Sequence, residues 1–67
     1  MKKAKYLDLV AEMAKNGDTQ RTLSKLLGIA APNVGKRISG ETAWRIGEIE
    51  KICEYYKKDY YELFKTK

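Results

Sequence analysis

Histidine is absent from these 67 residues, and cysteine, proline, tryptophan and phenylalanine occur once each. Without histidine the chain lacks the commonest general base and the commonest metal ligand. One cysteine forms no internal disulfide, and with no histidine beside it a zinc site of the usual kind is excluded. Cys53 reads as a small core residue in preference to a reactive thiol. No apolar run approaches 18 residues, so no membrane span is expected. The basic start, MKKAKYLDLV, is not expected to act as a signal peptide, because Asp8 and Glu12 interrupt the apolar stretch that one needs. A cytoplasmic location is expected. There is no strand-like alternation, internal repeat or low-complexity segment. The single proline falls inside a helical pattern, so nothing marks a linker. Residues 1–67 read as one domain.

What is present is charge and helical periodicity. Fourteen Lys and Arg against nine Asp and Glu give a net charge of +5 and suggest a polyanionic partner. Hydrophobic residues are 43% and charged residues 34% of the chain, the balance of a globular domain. A domain of this length buries only about 60% of its unfolded surface, so a thin core is expected.

A first helix is predicted over about Lys3 to Asn16, where Tyr6, Leu9, Val10 and Met13 share one face and Gly17 follows the end. Asp18 or Thr19 caps a second helix, Gln20 to Leu27, facing inward through Leu23, Leu26 and Leu27. Gly28 supplies a turn. The third helix runs from about Ala31 to Ser39, with Pro32 in its first turn, Val34 and Ile38 inward, and Gly40 closing it. Gly35 weakens this helix by about 0.5–1 kcal/mol relative to Ala, which close packing against the second helix or a sugar-phosphate backbone explains. A loop anchored by Trp44 leads to a fourth helix, Ile46 to Tyr56, with Ile49, Ile52, Cys53 and Tyr56 on one face. The last helix reaches Phe64, with Asp59 and Glu62 spaced as a capping box. The fold class expected is all-α, five helices.

The second and third helices, with a small Ser24 at their crossing, have the anatomy of a helix-turn-helix. The residues Thr19-Gln20, Leu23, Ser24, Leu27-Gly28-Ile29, Val34 and Gly40, with the ending Ile49-Glu50-Lys51-Ile52 through Tyr60-Tyr61-Glu62-Leu63-Phe64, resemble the lambda-repressor-like domains. These are the Cro/repressor or XRE group of phage and bacterial regulators. Two positions depart from that pattern. Arg37 stands where the family usually has an apolar residue, with Ile38 taking the core role. Ala31 and Pro32 stand where family members often carry base-reading polar side chains.

The resemblance implies a compact lambda-repressor-like domain whose third helix enters the major groove of double-stranded DNA. Base readout then falls to Ala31, Pro32, Asn33, Lys36 and Arg37. Lysine donates to guanine O6 and N7, asparagine pairs with adenine, and the two apolar residues suit thymine methyls. The alternative for Lys36 and Arg37 is a solvated basic helix end. Phosphate contacts fall to Gln20, Ser39, Thr42 and Arg45; for Gln20 the alternative is an ordinary surface residue. Lys2, Lys3 and Lys5 form either a flexible arm over the duplex or a solubilising terminus. Trp44 is expected to be buried between the third and fourth helices.

Tyr60, Tyr61 and Phe64 are too crowded for one five-residue helix to bury, which makes them candidates for dimer contact. A weak homodimer would read a pseudo-palindromic operator in a bacterial cell or phage-infected host. The competing reading is a helical protein–protein interaction adaptor on the same fold. No enzymatic constellation is visible and no cofactor or metal is expected.

Overall fold

A computed structural model describes residues 5–65. Five helices follow in order: α1 (Leu7–Lys15), α2 (Gln20–Leu27), α3 (Ala31–Ser39), α4 (Ile46–Tyr56) and α5 (Tyr60–Phe64). Among the described residues there is no strand, and no helix is long and apolar enough to cross a membrane. α2 packs on α3 and α4, and α5 closes the bundle against α1 and α4. The core is Leu9 and Met13 of α1, Leu23 and Leu27 of α2, Val34 and Ile38 of α3, Ile52 of α4, and Leu63 and Phe64 of α5. α1, α2 and α3 each contribute two residues four apart, the spacing that keeps them on one face.

Four helices match their expected bounds, because their ends are set by local chemistry. The Thr19 N–H donates to Thr22 Oγ1 at 3.2 Å as α2 begins. α2 ends at Gly28, whose φ of 72° lies in the left-handed region open to glycine. The Ser24 hydroxyl donates to the Ile29 carbonyl at 2.6 Å. Ser24 therefore ties the turn of the helix-turn-helix as well as keeping it slim. At α5 the Asp59 N–H donates to Glu62 Oε1 at 3.1 Å, half of the expected capping box.

The first helix departs from expectation. It begins at Leu7, not near Lys3, and Lys3 lies outside the described residues together with Lys2. Lys5 is held outside the helix because its N–H donates to the Ile38 carbonyl at 2.8 Å. That bond satisfies a carbonyl at the end of α3 that has no intrahelical partner. The Lys5 side chain crosses Gly40, where an added Cβ would lie 2.7 Å from its Cδ. A lysine anchored in this way is not part of a free arm.

The aromatic cluster also differs from the sequence reading. Trp44 is half-buried, and its ring meets Tyr6 at 6.2 Å and Phe64 at 5.4 Å, both edge to face. It clamps the start of α1 to α5. Phe64 is 3% exposed. Burial removes it from the candidate dimer contacts, and its neighbours Tyr60 and Tyr61 are left on the surface. Cys53 is half-buried against the core, and burial, then the Asp59 carboxylate, pushes its thiol above the ordinary range. It remains a protonated packing residue at neutral pH.

Candidate nucleic-acid interface

The outward side of α3 is built by what its inward side must do. Val34 and Ile38 point into the core, so Pro32, Asn33 and Lys36 stand exposed on the opposite face, with Ala31 and Gly35 half-buried beside α2. Pro32 and Lys36 are four residues apart and Asn33 and Lys36 three, so the three side chains share one patch. The N-terminus of α2 lies alongside: Gln20 is exposed, and its amide rests on the α3 backbone at Gly35. Thr42 and Arg45 are exposed beyond the other end of α3.

Two expected contact residues are engaged within the protein, one of them buried. Arg37 is only 8% exposed, which removes it from base readout. Its Nε donates to Glu48 Oε1 at 2.8 Å, and its Nη1 donates to the Asn33 carbonyl at 3.2 Å. The same Glu48 oxygen accepts the Arg45 N–H at 3.0 Å. A buried guanidinium needs a counter-charge and acceptors, and α4 supplies them. Arg37 and Ile38 are thus both buried: the aliphatic residue fills the core and the arginine bolts α3 to the start of α4. Ser39, named as a phosphate contact, directs its one hydroxyl proton to the Lys36 carbonyl at 3.0 Å and the Glu41 carboxylate at 3.2 Å.

The remaining charge is lopsided. From residue 19 to residue 45 there are five basic residues, Arg21, Lys25, Lys36, Arg37 and Arg45, and one acid, Glu41. Arg37 is neutralised by Glu48. Among the described residues none of the other four is in an ion pair. The first turns of α2 and α3 contain no acidic residue, so the partial positive charge of their N-termini is uncompensated by a carboxylate of their own. Basic side chains, bare helix N-termini and an exposed polar patch on one helix suit a polyanion with readable edges.

A family model of the Cro/C1-type HTH DNA-binding domain matches residues 9–67. The chain belongs to this family. Its helix-turn-helix is therefore α2 and α3, and the Cro/C1-type domain binds DNA. No curated protein and no solved structure matches the chain.

Sequence reasoning placed the exposed residues of α3 in one patch but missed three contacts. These are the Arg37–Glu48 pair, the seat of Gln20 on Gly35, and the pairing of Tyr55 and Tyr56 with Asp18. The only local signal was the awkwardness of an arginine at a core position and of a glycine inside a helix.

Proposed function

We propose that this Cro/C1-type domain is a sequence-specific transcriptional regulator that lays α3 in the major groove of double-stranded DNA. The observation that carries the reading is the unpaired basic surface of α2 and α3 around the exposed Asn33 and Lys36. In this reading Lys36 donates to guanine O6 and N7 and Asn33 pairs with adenine. Ala31 and Pro32 pack on thymine methyls. Gln20, Thr42 and Arg45, with the backbone N–H groups opening α2, hold phosphates on either side. Tyr60 and Tyr61, 55% and 79% exposed, are the surface through which two copies would meet weakly. Two copies would read a pseudo-palindromic operator with half-sites about 10–10.5 bp apart in the cytoplasm of a bacterial cell or phage-infected host.

Selection of sites from random duplex DNA, followed by titration at increasing salt, tests this reading. Affinity should fall steeply with salt, because bound Lys and Arg displace counterions. Arg45→Ala should weaken binding to every sequence alike and make the salt slope shallower by about 1. A flat dependence of affinity on salt, or no preferred sequence after selection, would overturn it.

A further inference from the structure

Gly35 sits in the middle of α3, where glycine weakens a helix relative to alanine. Its backbone is helical, so no positive φ requires glycine. What occupies the missing side chain's place is the Gln20 amide. A Cβ at position 35 would lie 3.0 Å from Gln20 Oε1 and 3.4 Å from both Cδ and Nε2. Among the described residues the Gln20 amide has no hydrogen-bond partner. A polar group is thus held flat on the outward helix by contact alone, with its donors and acceptor unused.

We propose that Gly35 is a positioning residue for DNA binding: its missing side chain forms the seat that holds the Gln20 amide against α3, so that one amide of α2 meets the phosphate backbone in register with the residues of α3. The inference rests on the DNA-binding reading above and deepens it. The physical basis is preorganisation. A glutamine free to rotate loses side-chain entropy when it binds, whereas one confined to a seat has already lost it. Alanine at 35 pushes the amide out by the few tenths of an ångström that decide whether it reaches the phosphate while α3 stays in the groove. The displaced atom is the end of a flexible side chain, so the fold itself accommodates the methyl.

This makes stability and binding move in opposite directions, which a purely structural role for Gly35 does not. Gly35→Ala, Gln20→Ala and the double variant of the full chain are compared by thermal melting and by titration with a duplex selected on the wild type. Gly35→Ala should melt a few degrees higher and bind about tenfold more weakly. Gln20→Ala should bind more weakly by a similar factor. The double variant should bind no more weakly than either single one, because both changes remove the same contact. Unchanged affinity in Gly35→Ala overturns the proposal. So does a product of the two losses in the double variant, which would mean that the methyl obstructs DNA by itself. So does a lower melting temperature in Gly35→Ala. These results all leave the wild type binding its duplex; failure of the wild type to bind any duplex would overturn the DNA-binding reading instead, and this proposal with it.

Discussion

The helix-turn-helix, α2 with α3, and the closing pair, α4 with α5, are built on the same local rules but finish their polar groups differently. In α4 and α5 a first-turn glutamate accepts the N–H of its own cap residue, Glu48 from Arg45 and Glu62 from Asp59. Lys58 reaches Glu12 at 3.8 Å and Glu62 at 3.7 Å. Tyr56 donates to Asp18 Oδ2 at 2.8 Å and Tyr55 to Oδ1 at 3.3 Å. These bonds tie the closing pair back to α1 and to the residue ahead of the α2 cap. α2 and α3 have no acid in their first turns, and their exposed bases stay unpaired among the described residues. The exposed bases of α2 and α3 are thus open to the DNA contacts proposed for them, and the polar groups named in the closing pair are engaged within the fold. Arg37 is the exception that joins them: a basic residue of α3 held by an acid of α4.

Cutting that joint should destabilise the domain most. Glu48→Ala would leave the Arg37 guanidinium buried without its counter-charge, and should cost about 3–5 kcal/mol in chemical denaturation. That is enough to unfold much of a domain this small. Replacing both partners with apolar residues should recover most of the loss. A Glu48→Ala protein as stable as the wild type would show that the two regions are not held together by this pair.

The next effect belongs to the open side. Lys36→Ala should cost about 1–3 kcal/mol against the preferred base at one operator position. Lys36 is exposed and unpaired, so folding stability should stay within about 0.5 kcal/mol of wild type. A panel of single-base operator variants reads this directly. Equal losses across the panel would reduce Lys36 to a phosphate contact, and a large loss of stability would contradict its exposed, unpaired place on α3.

A smaller effect tests the tie from the closing pair to Asp18. Burial first, then the hydrogen bond to Asp18, pushes the Tyr56 hydroxyl well above the usual tyrosine value of 10.0. The unfolded chain therefore releases this proton at a lower pH than the folded one. The stabilisation is fully present below about pH 10 and is lost as pH rises beyond it. Tyr56→Phe should cost about 1 kcal/mol at neutral pH and flatten the decline in melting temperature above pH 10. An identical alkaline decline in both proteins would remove the Asp18 link.

The smallest effect is at the junction of α4 and α5. Lys57 has φ 55°, the one positive value among the described residues that are not glycine. Lys57→Gly should relieve that conformation and stabilise the fold by about 0.5–1 kcal/mol, with DNA affinity unchanged. A destabilised variant would mean that the lysine side chain matters more there than its backbone.

The helices and their order are legible in the residues alone. Apolar spacing, glycine stops and hydroxyl or carboxylate caps act within a few residues, so the limits of α2, α3 and α4 follow from neighbours along the chain. The outward face of α3 is legible too, because Val34 and Ile38 must be inward. Side chains whose partners are distant along the chain find their places when the helices pack. Arg37 and Asn33 look equally exposed as neighbours on one helix, yet Glu48, eleven residues on, draws the arginine inside. Phe64 and Tyr61 are both aromatic residues of α5, but Tyr6 and Trp44 enclose the first, whereas the second meets the ring of its neighbour Tyr60 and stays 79% exposed. Lys5 continues a helical pattern, but the open carbonyl of Ile38 captures its N–H. Gln20 is a surface residue by composition, and its seat exists only because α2 and α3 bring it to Gly35. Backbone conformation here is governed by short-range terms. Burial and partnership depend on which helices meet, and that is settled when the core of all five closes.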